Sequence, residues 1–149
     1  MLIKGLVDED FVNYKKPSMY IAFPNCDFKC DREAGCSICQ NSSLAHEPDI
    51  EIDEEALVER YINDPITKAI VCAGLEPFRS PASLYELIKT FRKVTDDDIV
   101  IYTGFKESEF KHLLAYRKYL EALQEFPNII IKYGRFIPNQ EKHYDEVLG

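Results

Sequence analysis

No stretch of this sequence approaches the roughly 18 consecutive apolar residues of a membrane span, so a membrane is not an expected partner. The opening segment, Met1 to Phe11, has a lysine followed by acids and lacks the long apolar core of a secretory signal, so a cytoplasmic location is expected. Basic residues are in short supply. Lys and Arg total 18 against 26 Asp and Glu, a net charge of −8. A phosphate-backbone binder needs a basic face that releases counterions, so nucleic acid is not an expected partner either. Histidine is scarce, and His46, His112 and His143 show no metal-ligating spacing; they read as surface or packing residues. Internal repeats, low-complexity tracts and long linkers are absent. Residues 1–149 therefore read as one domain, at the usual size of about 100–150 residues.

What is present can fold. The chain is 46% hydrophobic and 30% charged, enough to bury a core and stay in solution. Four segments are apolar along their whole length: Met19–Phe23, Ala69–Ala73, Ile99–Tyr102 and Ile129–Ile131. Between them lie segments with helical periodicity. One runs from Asp53 to Asn63, with Asp53 placed as cap and Leu57, Val58, Tyr61 and Ile62 as its apolar face. A second starts at Ser80-Pro81 and carries Leu84, Leu87, Ile88 and Phe91. A third spans Phe110, Leu113, Leu114, Leu120 and Leu123. Apolar strands alternating with helices predict a parallel sheet covered by helices.

In such folds ligands gather beyond the carboxyl ends of the strands. Each strand here ends in an unusual segment: the cysteine loop, then Gly74-Leu75-Glu76-Pro77, then Thr103-Gly104, then Gly134-Arg135-Phe136. All four are expected on one face, which makes that face the candidate site.

Cysteine is the loudest feature. Cys26, Cys30, Cys36 and Cys39 crowd into residues 26–39, whereas Cys72 lies alone in the second apolar strand and reads as a small core residue. In a reducing compartment such a cluster ligates metal more readily than it forms disulfides. The residues alone leave two metals open: zinc, closed by four thiolates, or an iron–sulfur cluster.

Three motifs carry a resemblance. The cysteine loop follows the first strand, opens with a CxxxC pair and ends in Cys39-Gln40-Asn41, which resembles a stretched radical S-adenosylmethionine motif. Ala73-Gly74-Leu75-Glu76-Pro77 resembles that family's GGEP segment, with Leu75 in place of a glycine. Ile101-Tyr102-Thr103-Gly104-Phe105 resembles a strand end of the anaerobic ribonucleotide reductase activating proteins, as do Glu9 to Asn13 and Gly134 to Ile137.

The resemblance implies a small, incomplete barrel of parallel strands with helices outside. It implies a 4Fe-4S cluster on Cys26, Cys30 and Cys39, with Cys36 as an alternative ligand, and one iron open to S-adenosylmethionine. Gly74, Leu75, Glu76, Tyr102, Thr103 and Asn41 would line the cofactor. A Gly74→Val change is expected to intrude on that cofactor. The implied activity is reductive cleavage of S-adenosylmethionine to activate a glycyl-radical enzyme, the large subunit of an anaerobic ribonucleotide reductase. A reductant such as flavodoxin or ferredoxin would supply the electron. If all four loop cysteines were ligands, the implied role would instead be electron transfer or an accessory cluster; a zinc-stapled interaction domain is the third reading. Near the thiols, Phe28 is placed to shield a cluster, and Lys29 and Arg32 either offset its charge or are solvated loop charges.

Overall fold

A computed structural model describes residues 1–149. Its centre is a five-stranded sheet in the order β2-β3-β5-β6-β7. The strands are β2 (Gly5–Asp10), β3 (Ser18–Phe23), β5 (Ala69–Gly74), β6 (Asp98–Thr103) and β7 (Ile129–Tyr133). β3, β5, β6 and β7 are parallel, and β2 joins antiparallel to β3. A separate two-stranded ladder pairs β1 (Leu2–Ile3) with β4 (Ile50–Glu51).

The four apolar runs are thus the four parallel strands; β5, buried along its whole length, is the most central of them, whereas no residue of β7 is fully buried. The parallel sheet with helices is as expected, but the incomplete barrel is corrected to an open sheet: β2 pairs only with β3 and β7 only with β6, which leaves both as edges. The antiparallel β2 was not foreseen, because Val7-Asp8-Glu9-Asp10 carries too many acids to read as a strand.

Three helices follow the parallel strands: α2 (Glu54–Asn63), α3 (Pro81–Phe91) and α4 (Leu114–Gln124). Alternation along each strand divides the sheet into two faces. Met19, Ile21 and Phe23, Ile70 and Cys72, and Ile99 and Ile101 pack with Leu57, Tyr61, Leu84, Leu87, Phe91 and Leu123 of the helices in the main core. Cys72 is fully buried there, and burial pushes its thiol up to about 12. The opposite face carries Ala69, Val71, Ala73 and Val100 with the larger, half-buried Tyr20, Tyr102 and Ile130, and is covered by Tyr14 and Leu148 rather than by helices. The helices therefore lie on one side only.

Two helical expectations shift. The third helix starts at Leu114, and Phe110 belongs to a separate 3₁₀ turn, Glu107–Lys111. Ile62 and Leu114 face solvent. Asp53 does occupy the cap position of α2, but its side chain makes no capping bond.

Candidate metal centre

The cysteine loop is not irregular throughout. It contains one short helix, α1 (Lys29–Ala34), entered through Phe28 and left through Gly35, both in left-handed conformation at φ 51° and φ 69°. Cys30 sits on this helix. The Asp31 carboxylate, one residue on, accepts the amides of Ile38 and Cys39 through Oδ1, both at 2.9 Å. The extra residues of the loop thus form a helical turn and a return, and Asp31 brings Cys39 back beside Cys30. Sequence reasoning missed Asp31. Its signal, an acid seven and eight residues before the amides it binds, is too nonlocal to read as a turn.

Cys26, Cys30 and Cys39 all line one cavity of about 760 Å³ at the carboxyl ends of the parallel strands, within the usual size of a cofactor site. Cys36 does not line it; it is exposed, with its sulfur 3.8 Å from the Ala34 carbonyl. Two backbone amides aim at the lining sulfurs: Phe28 N–H donates to Cys26 Sγ at 3.2 Å and Phe136 N–H to Cys30 Sγ at 3.4 Å. Burial pushes the Cys26 and Cys39 thiols up, against the opposing pull of the Phe28 and Asn41 amides.

The segments after the other strands converge on the same cavity. After β5 come Gly74, Leu75 and Glu76; after β6, Thr103 and Gly104; after β7, Gly134 and Arg135. Tyr102 lines it from β6, and its hydroxyl donates to the Asn13 carbonyl. Asn41 Nδ2 donates to the Gly74 carbonyl at 2.9 Å, pinning the end of the cysteine loop to the end of β5. Asn13, Tyr20 and the stretch 139–143 also line the cavity and were not foreseen; they come from outside the strand-end segments that the topology marks.

Two expected cofactor contacts are committed within the protein. Glu76, only 3% exposed, accepts the Thr103 hydroxyl at 2.8 Å, the Gly104 amide at 2.8 Å and the Phe78 amide at 3.0 Å. These bonds tie the end of β5 to the end of β6. Burial raises the Glu76 carboxyl, and the three donors pull it back. A Cβ on Gly74, at φ +89°, would lie 2.6 Å from Ala22 Cα and 2.7 Å from the Phe23 amide nitrogen. The expectation that a side chain at Gly74 enters the ligand's space is therefore corrected: it enters the backbone of β3.

Charge around the thiols is paired. Arg135 makes a two-pronged ion pair with Glu109, both contacts at 2.8 Å, and reaches Glu33 of α1 at 3.0 Å. Lys29 lies 3.5 Å from Glu109, with its ammonium 4.1 Å above the Phe105 ring. Arg32 faces outward and pairs with Asp27.

With this geometry in view, a family model described as a 4Fe-4S single cluster domain matches residues 18–148. The chain belongs to this 4Fe-4S family. No curated protein and no solved structure matches it significantly.

The residues fit the cluster that the family carries. A four-iron cluster is larger than one ion and takes thiolates spread around its corners. Three thiols that line one cavity, two of them already accepting amide bonds, suit that demand. One buried side-chain donor lacks a partner, Arg135 Nε, and it lies on the turn whose next amide bonds Cys30.

Proposed function

We propose that this 4Fe-4S protein is of the radical S-adenosylmethionine type and activates a glycyl-radical enzyme, an anaerobic ribonucleotide reductase. The observation that carries the reading is the separation of the loop thiols: Cys26, Cys30 and Cys39 line the cavity and Cys36 stands outside it. Three thiolates leave one iron of a four-iron cluster without a protein ligand. When bound there, S-adenosylmethionine supplies the difficult chemistry, its reductive cleavage by an electron from the cluster.

The chain's own residues bind, orient and exclude water. Cys26, Cys30 and Cys39 hold the iron, and Asp31 fixes the return of Cys39. Gly74 and Leu75 offer backbone to the cofactor from the end of β5, at a level set by the Asn41 and Glu76 bonds. Tyr102 lines the cavity from β6, with its hydroxyl held by the Asn13 carbonyl. Thr103, committed to Glu76, acts by fixing the strand end rather than by direct contact. A partner enzyme brings the glycine to be activated, and a flavodoxin or ferredoxin brings the electron.

The test is an oxygen-free assay of reconstituted protein with S-adenosylmethionine, a reductant and a candidate reductase. Formation of 5′-deoxyadenosine together with a glycyl-radical signal in electron paramagnetic resonance is the expected result. A fully loaded cluster that never yields 5′-deoxyadenosine, with or without partner, overturns the reading.

A further inference from the structure

Phe136 lies in the turn after β7, where no ladder or helix fixes the chain, yet its amide reaches Cys30 Sγ at 3.4 Å. The neighbouring Arg135 supplies the constraint. Its guanidinium is bonded to Glu109 through two nitrogens, to the Gly104 carbonyl at the end of β6, and to Glu33 on the helix that carries Cys30. The side chain is 9% exposed, and Glu109 is itself fixed by accepting the Lys106 amide at 2.7 Å. One side chain thus ties the turn after β7 to the end of β6 and to α1. Its charge is matched by Glu109 and Glu33, so its influence on the thiols runs through position more than through field. The depressed carboxyl of Glu109, at about 2 because Arg135 hydrogen-bonds it, agrees with a persistent pair.

We propose that Arg135 is a positioning residue that holds the Phe136 amide on Cys30 Sγ and thereby raises the reduction potential of the cluster. This rests on the cluster reading above. A hydrogen bond to a ligating sulfur withdraws negative charge and favours the reduced state. Reduction here is the uptake of one electron from an external reductant; no bond is made or broken and no proton moves at Arg135.

The test is a mediated dithionite titration of the reconstituted protein, followed by electron paramagnetic resonance, on wild type, Arg135→Lys and Glu109→Ala. Lysine keeps the charge but cannot grip Glu109, Glu33 and the Gly104 carbonyl together. Both variants should titrate at more negative potential, with about a tenfold lower reduced-to-oxidised ratio at fixed potential, or about 59 mV for a one-electron couple. Removing the Glu109 carboxylate would by charge alone move the potential the other way. Wild-type potential in Arg135→Lys, or a positive shift in Glu109→Ala, overturns the proposal. Residue-resolved hydrogen exchange on the cluster-loaded wild type tests it without any variant: the Phe136 amide should be protected, and exchange at an open-loop rate overturns it. Wild-type protein that takes up no iron and sulfide fails the cluster reading, whereas a loaded wild type whose variants share its potential fails this inference alone.

Discussion

The Glu76 carboxylate at the end of β5 accepts the Thr103 hydroxyl at the end of β6 at 2.8 Å, inside the wall of the cavity. Together with the bonds from the Gly104 and Phe78 amides, this contact sets the spacing of two strand ends. A buried acceptor removed from its donors leaves them unsatisfied, at a cost of about 1–3 kcal/mol for a neutral group. Glu76→Ala should therefore lower stability by at least about 2 kcal/mol in denaturant unfolding. Thr103→Val should cost about 1–3 kcal/mol: two amides still serve the carboxylate, but the Phe105 amide loses the Thr103 hydroxyl it donates to at 3.1 Å. Equal stability in Glu76→Ala and wild type would show that the bonds do not hold the strand ends.

Gly74 answers a different constraint. Its φ of +89° and the 2.6 Å approach of a Cβ to Ala22 combine left-handed strain with a backbone clash. Gly74→Ala should cost about 2–5 kcal/mol, roughly 1–2 from the conformation and 1–3 from overpacking. Loss of cofactor affinity in a Gly74 variant of unchanged stability would contradict this.

Asp31 predicts a defect in assembly rather than in folding. Its carboxylate alone holds the Ile38 and Cys39 amides, and α1 buries no residue. Asp31→Ala should keep the wild-type melting temperature while lowering iron content after anaerobic reconstitution several-fold. Full iron loading in this variant would remove Asp31 from the account.

The Arg135–Glu109 pair gives a pH dependence with a definite sign. The folded Glu109 carboxyl sits at about 2, below its ordinary value, first because Arg135 hydrogen-bonds it. A depressed carboxyl stabilises the fold above the unfolded value, about 4.3, and that stabilisation is lost as pH falls toward 2. Solvent screening holds it to about 1 kcal/mol. The stability gap between wild type and Glu109→Gln should therefore narrow as pH falls from 5 to 2. A gap independent of pH would refute the pair's role.

Much of this was legible in the sequence, for physical reasons that differ by residue. The strands β3, β5, β6 and β7 are legible as continuous apolar runs, which a parallel sheet favours, and their common direction brings the cysteine loop, Glu76, Thr103 and Arg135 to one face. The acids of β2 and the single-sided helix layer carry no such signal, so the sequence points to a partial barrel rather than to an open sheet with an antiparallel edge. At the site, thiol density alone leaves Cys36 level with the other three, and only the motif resemblance singles out Cys26, Cys30 and Cys39; α1 and the Asp31 bonds give the physical reason that those three line the cavity and Cys36 does not. Gly74 was legible as special, but only the proximity of β3 shows what it accommodates. Arg135 is legible only as part of a motif, and its clamp on Glu109 and Glu33 is long-range contact that no local pattern encodes.

The central claim is a cluster held by three of the four loop thiols, and the Cys36→Ser protein tests it most directly. After anaerobic reconstitution, iron, acid-labile sulfide and zinc are counted per chain, and the reduced sample is examined by electron paramagnetic resonance before and after S-adenosylmethionine is added. The account predicts wild-type iron and sulfide in Cys36→Ser, a spectrum altered by S-adenosylmethionine, and loss of the cluster in the serine variants of Cys26, Cys30 and Cys39. Stoichiometric zinc without sulfide, or loss of the cluster in Cys36→Ser, would contradict it.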